Sequence, residues 1–169
     1  MDRIDSSRIR KHLMMSEQRS TFPESSGEID IAKHAMLGYS SEDPHHPLDH
    51  LIDGRCGRGG TRWASARPNA TELIVLEFDR PQRISHLVYE VEECRQARTQ
   101  EVRVEVSADG GRTYRQVLAQ DYTFSPQGAT FQHEDLRLDL AALTHLSLTI
   151  VPNKDGSGIA SLTSLRLFA

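Results

Sequence analysis

The sequence predicts an all-β protein in which two antiparallel sheets pack face to face. Three observations support this prediction. Apolar and polar residues alternate along many short segments, turn-forming residues separate those segments, and no long helical pattern follows residue 30. A period of two gives a strand one buried face and one solvated face. Many short strands of this kind are typical of β-sandwiches.

The clearest strand covers residues 99–107, where Val102, Val104 and Val106 alternate with charged residues. The same alternation recurs in five other segments. Their predicted inward-facing residues are Ile74, Leu76 and Phe78; Leu87, Tyr89 and Val91; Leu136, Leu138 and Leu140; Leu146, Leu148 and Ile150; and Leu165 with Leu167. Glycine, proline or aspartate clusters at 79–81, 108–111, 125–128 and 153–158 predict the intervening turns. The Asp-Gly-Gly run at 109–111 predicts a tight hairpin, because glycine accepts positive φ.

Composition limits the classes of partner. The chain has 169 residues and a net charge of −4, with both signs mixed along it. This balance predicts neither a nucleic acid nor an anionic membrane as partner. No apolar run is long enough to predict a membrane span. The polar N-terminus does not resemble a signal peptide, so we expect a cytoplasmic protein in which Cys56 and Cys94 are free thiols.

The first residues differ in composition from the rest of the chain. Residues 1–27 are mostly polar, whereas strand-like alternation begins near Ile29. We therefore predict a flexible N-terminal arm over 1–27, with a short helix possible within residues 8–17, and one β-sandwich domain over 28–169.

Several motifs in this order resemble the discoidin domain family, also described as the coagulation-factor C-type domain. The strand that ends in Ser107-Ala108-Asp109-Gly110, with Tyr114 soon after, is similar to the most typical stretch of the family. Upstream, Asp53-Gly54 followed by Thr61-Arg62-Trp63 resembles its Asp-Gly and Thr-x-Trp element. The hydrophobic strand before Pro81 and the C-terminal strand complete the resemblance, which covers about residues 29–169.

The resemblance implies an eight-stranded jelly roll of the galactose-binding-domain-like type. Such domains bind sugars, lipid head groups or other proteins through loops at one end, and they are usually not enzymes. The resemblance also implies that Trp63 packs beneath the loops. Fold alone does not determine function, so the ligand has to be argued from the loops.

The resemblance further implies a calcium site in the loop that contains Asp53 and Thr61. Calcium requires six to eight oxygen ligands. In related domains a glutamate on the last strand contributes one of them, but Ser164 stands at the matching position here. Arg55 and Arg58 add positive charge to the same loop. We therefore expect a structural turn in preference to a calcium-dependent one, and no other cofactor.

A ligand site is predicted where two polar loops meet. Arg95 and Arg98 lie in the loop 92–100, while Phe124 and Gln127 lie in or beside the loop 124–133. Arginine and glutamine suit two-pronged hydrogen bonds to sugar hydroxyls, and an aromatic ring offers a stacking platform. The alternative is that the arginines are merely solvated and the aromatic residues belong to the core.

The remaining motifs favour binding over catalysis. Asp43, His45, His46, Asp49 and His50 lie close together, but their spacing matches no regular zinc site. The sequence contains no nucleophile elbow, phosphate loop or dinucleotide fingerprint. We predict a non-catalytic carbohydrate-binding module. The alternative is an intracellular protein-interaction subunit that uses the same loops, which the missing signal peptide favours.

Overall fold

The computed structural model describes residues 9–13 and 27–169. Nine strands and one short helix occur in these residues. They are β1 (Lys11–Leu13), α1 (Ile31–His34), β2 (Ala35–Tyr39), β3 (Trp63–Ala64), β4 (Glu72–Glu92), β5 (Arg98–Ser107), β6 (Arg115–Phe124), β7 (Phe131–Val151), β8 (Ser161–Leu162) and β9 (Ser164–Phe168). A single 3₁₀ turn covers Leu48–Leu51. No helix in the described residues is long and apolar enough to cross a membrane.

The strands form the β-sandwich that the sequence predicts. In the larger layer the order is β1-β2-β4-β7-β5-β6, and all pairs except β1 with β2 are antiparallel. In the second layer the later part of β4 lies between β9 and the earlier part of β7. The short strands β3 and β8 pair separately.

Two strands, β4 and β7, are longer than the sequence predicts. The residues 79–81, which predict a turn, lie inside β4, and the predicted strands around Leu76 and Tyr89 are one continuous element. The β4–β7 register shifts three times between Glu77 and His86, as expected where a strand bends from one sheet into the other. Proline cannot donate a ladder hydrogen bond, and Pro81 is tolerated because the strand pairing is irregular in this stretch.

The core lies between the two layers and follows the predicted alternation. Val102 and Val104 are fully buried, as are Leu76, Leu87 and Leu148. A hairpin joins β5 to β6 as predicted, but its loop covers residues 108–114 and is longer than the predicted tight turn. Gly110 has φ 77° and Gly111 has φ 80°, a backbone conformation that favours glycine. The hydrophobic pattern therefore predicted correctly which face of each long strand is directed towards the core.

The N-terminal segment contributes one strand to the fold. Lys11–Leu13 pairs in parallel with β2, so these residues form neither a free arm nor the short helix considered for residues 8–17. The Lys11 ammonium contacts the carboxylates of Glu42, at 2.7 Å, and Asp49, at 2.5 Å. The other residues of the predicted arm, apart from 9, 10 and 27, lie outside the described residues, and their flexibility stays a prediction.

Candidate functional site

Three loops meet at one end of the sandwich and line a depression of about 290 Å³. It lies where the segment before β3, the β4–β5 loop and the β7–β8 loop converge. Its polar lining includes His46, Arg62, Glu92, Glu93, Arg95, Gln96 and Arg98. Ile159, which is 39% exposed, supplies an apolar wall. The depression is thus open, charged and bordered by one large apolar side chain.

A buried tryptophan holds one side of the depression. Trp63 is fully buried, and its indole N–H donates to the carbonyl of Ser41 at 3.1 Å. The backbone of Ala64 pairs with the turn that carries His46, with Asp43 N–H donating to Ala64 and Ala64 N–H donating to His46. Arg62 immediately precedes β3 and lines the depression. The burial of Trp63 confirms that the tryptophan packs beneath the loops.

Arg98 forms the floor of the depression and is only 7% exposed. Its guanidinium donates to five acceptors, which are Glu93 Oε1, Gln100 Oε1, the carbonyls of Pro152 and Ile159, and Ser161 Oγ. Burial lowers the pKa of Arg98, while Glu93 acts in the opposite direction. The side chain therefore joins the β4–β5 loop to the β7–β8 loop, and its donors are already directed into the protein.

Two predicted ligand contacts have other roles in the structure. Arg98 is a positioning residue beneath the site and not an exposed clamp for hydroxyl groups. Phe124 is 1% exposed, so it offers no platform to a ligand. Its ring instead lies beneath Arg98, whose Cζ is 5.9 Å from the ring centroid. Both corrections have one physical reason: these side chains face the core side of β5 and β6.

The other two predicted contacts are exposed but separated. Arg95 lines the depression, whereas Gln127 lies in the turn after β6 and does not line it. The structure adds His46, Arg62 and Ile159 to the site. His46 and Arg62 were visible in the sequence only as parts of other motifs. Ile159 had a signal of its own, as a large apolar residue in a loop otherwise rich in glycine, serine and aspartate.

A second loop, residues 53–61, lies beside the depression and contains the predicted calcium ligands. The Asp53 carboxylate accepts from the Arg55 N–H at 2.8 Å and from the Thr61 hydroxyl. Further along, the Gly57 N–H donates to Glu90 at 2.7 Å, and the Gly59 N–H donates to Glu92 at 2.9 Å. Two carboxylates of β4 therefore fasten the loop to the sheet.

The atoms that this loop offers as metal ligands do not fit a calcium ion. Ser164 lies directly opposite Glu90 in the β9–β4 pairing and donates to it at 3.1 Å, so it offers no charged ligand. The loop directs N–H groups towards Glu90 and Glu92, and N–H groups repel a cation. No group of three or more acidic, histidine or cysteine side chains suited to a metal occurs in residues 9–13 and 27–169. Asp53 and Thr61 instead hydrogen-bond to each other.

The fold is a β-sandwich with a depression between loops at one end. The family model of the F5/8 type C domain matches residues 37–165. The chain belongs to this family, which is the discoidin family that the sequence motifs resemble. No curated protein matches the chain.

Solved structures of carbohydrate-binding modules share the fold. A family 32 module of Clostridium perfringens NanJ, in complex with galactose, is 12% identical, with a TM-score of 0.60 over 86% of this chain and 100% of that one. A C. perfringens module in complex with GalNAc-β-1,3-galactose is 19% identical, with a TM-score of 0.58 over 84% and 99%. A pectin-binding module is 17% identical, with a TM-score of 0.56 over 79% and 88%. At these identities the likeness concerns the fold alone.

Proposed function

We propose that the chain is a carbohydrate-binding module whose ligand occupies the loop depression. One observation carries the proposal: an exposed isoleucine lies beside planar, outward-facing donors on a rigid floor. Ile159 offers an apolar surface for the C–H face of a sugar ring, and Arg62, Arg95 and Gln96 offer N–H groups for its oxygens. The sugar complexes of the structural relatives support the same class of ligand.

The buried floor formed by Arg98 supports the proposal, because it holds the loops around the depression in place. Arg98 fixes the β4–β5 and β7–β8 loops relative to each other before any ligand arrives. Preorganisation of this kind reduces the entropic cost of binding. Because the depression is open and none of its described lining residues is phenylalanine, tyrosine or tryptophan, net affinity should be modest, about millimolar to micromolar.

A glycan array of neutral and acidic oligosaccharides, followed by titration calorimetry, tests the proposal. We expect Ile159→Ser and Arg95→Ala each to weaken the bound sugar about fivefold to fiftyfold, with little change in melting temperature. Gln127→Ala is the matched control, because Gln127 is exposed at the same end but outside the depression. If Gln127→Ala weakens binding and the other two variants do not, the ligand occupies another surface. If no glycan binds at millimolar concentration, the carbohydrate proposal is wrong.

A further inference from the structure

Among the residues that the structure describes, the depression has more arginines than glutamates without an ion-pair partner. Arg62 and Arg95 line it, and the side chain of neither has a hydrogen-bond or ion-pair partner among the residues that the structure describes. Arg62 is half-buried and Arg95 is exposed. Arg62 also lies close enough to Arg98 to act on its ionisation: besides burial, its positive charge lowers the pKa of Arg98. Two guanidinium groups are thus directed at the space that a ligand would fill.

The two carboxylates of the depression are already engaged within the protein. Glu93 accepts from Arg98 Nε at 2.9 Å and from the Arg95 backbone N–H at 3.2 Å. Glu92 accepts from the Gly59 N–H at 2.9 Å and from the Cys94 thiol at 3.6 Å. Each of the four carboxylate oxygens therefore has a donor in place. Once Arg98 and Glu93 are paired, two arginines face one glutamate, although the chain as a whole carries −4.

This imbalance distinguishes between two kinds of sugar. A neutral sugar presents hydroxyl groups, which both donate and accept, and it binds best where donors and acceptors are mixed. A carboxylate or a sulfate ester only accepts, and it pairs with guanidinium groups in charge-assisted, two-pronged hydrogen bonds. Resting on the proposed function, we infer that the ligand is an anionic saccharide whose acidic group is bound by Arg62 and Arg95.

Matched pairs of sugars test the inference directly. Methyl α-galacturonide and methyl α-galactoside differ only at C6, which is a carboxylate in one and a hydroxymethyl group in the other. The corresponding glucuronide and glucoside form a second pair, and galactose 6-sulfate separates a sulfate ligand from a carboxylate ligand. Binding is measured by calorimetry on the full chain at pH 7, in low salt and then in about 0.5 M salt, where exposed charges are strongly screened.

We expect an acidic member to bind about tenfold more tightly than its neutral partner in low salt, and the ratio to fall towards one in high salt. Arg62→Gln and Arg95→Gln should each reduce the preference by a factor of about three or more. Arg115→Gln is the control, because it removes the same charge from the exposed start of β6, at the opposite end of β5 from the depression. It should leave the preference unchanged.

Other outcomes separate the two proposals. Equal, salt-independent binding of acidic and neutral sugars overturns the anionic ligand but leaves carbohydrate binding standing. The same conclusion follows if Arg115→Gln reduces the preference as much as Arg62→Gln, since the effect is then one of overall charge. If all five sugars and the glycan array are silent, both proposals are wrong.

Discussion

Two loops at the same end of the sandwich are each fastened to a neighbouring strand by charged side chains, and the two loops are fastened by charges of opposite sign. The loop 53–61 directs backbone N–H groups to the carboxylates of Glu90 and Glu92. The loop 152–160 directs the carbonyls of Pro152 and Ile159 to the guanidinium of Arg98. In each case the charge matches the backbone group it meets: anions accept from N–H, and a cation donates to C=O.

The two fastenings differ in how many backbone groups of a loop each charge holds, and this number should determine how much stability each contributes. Arg98, at 7% exposure, lies over Phe124 and holds two carbonyls of its loop, whereas Glu90, at 6% exposure, and half-buried Glu92 each hold one N–H of theirs. A buried charge that loses its partners is far more costly than an exposed one. We therefore expect Arg98 to contribute more to the stability of the fold than either carboxylate does.

The largest effect should come from Arg98→Met, which retains the aliphatic stem and removes the guanidinium. Glu93 and the carbonyls of Pro152 and Ile159 would lose their donor, at a cost of about 3–5 kcal/mol in the free energy of unfolding. Urea denaturation measures the loss. Arg95→Met is the control, and it should change stability by less than about 0.5 kcal/mol because Arg95 is exposed. Equal stability of the two variants would show that the buried guanidinium of Arg98 stabilises the fold no more than an exposed one.

An intermediate effect should come from Glu90→Gln. Glu90 accepts from Gly57, Ser164 and His133, so loss of its charge should cost about 1–2 kcal/mol at pH 7. Glu92→Gln, with one loop N–H at stake, should cost less. Urea denaturation of both variants beside the wild type gives the ranking. A larger loss for Glu92→Gln would mean that burial does not rank the carboxylates.

The Glu90 contribution should also depend on pH. Burial raises the pKa of the Glu90 carboxyl, but the hydrogen bonds from Gly57, His133 and Ser164 outweigh it and lower the pKa below the ordinary 4.5. A lowered pKa stabilises the folded state above the ordinary value, and this stability is lost as the pH falls through the folded value. His133 and Arg166, which face the carboxylate from β7 and β9, act in the same direction. The difference between wild type and Glu90→Gln should shrink between about pH 5 and pH 3.

The smallest effect should come from calcium. The carboxylates of β4 already hold the loop 53–61, so about 1 mM calcium should shift the melting temperature by less than about one degree, and a chelator should do no more. A ligand at a hundredfold excess over its Kd would add about 2.7 kcal/mol, which is several degrees for a domain of this size. A rise of that magnitude, measured by calorimetry, would show that loop oxygens bind the ion without a carboxylate at Ser164.

The sequence predicted the sandwich well because alternation reports burial directly. Val102, Val104 and Val106 set the inward face of β5, and the structure confirms it. The same alternation places Arg98 and Gln100 on that face, but their polar character made them look solvated. The alternation predicted burial more reliably than the polarity of the residues did, because a charged side chain can be buried once enough acceptors surround it. Tyr122 and Phe124 follow the same rule on β6.

The candidate site was predicted less completely because it depends on contacts between distant loops. Arg95 was found from local chemistry alone. Arg62 and Ile159 are 97 residues apart in the sequence, and nothing in either segment indicates that they share a depression. The long strands β4 and β7 bring these loops together by carrying the chain from one sheet to the other. Such long-range placement follows from the tertiary fold and not from any single motif.

The short strand β1 has a consequence for solubility. It covers part of the outer edge of β2, and an uncovered edge exposes backbone groups that can pair with the same edge of another molecule. Lys11 adds a charge at that edge and is itself bound to Glu42 and Asp49. Deletion of residues 9–13 would leave Ala35–Tyr39 open along its length. These few residues should therefore reduce edge-to-edge aggregation by covering backbone groups of β2, in addition to the packing that Ile9 adds against the core.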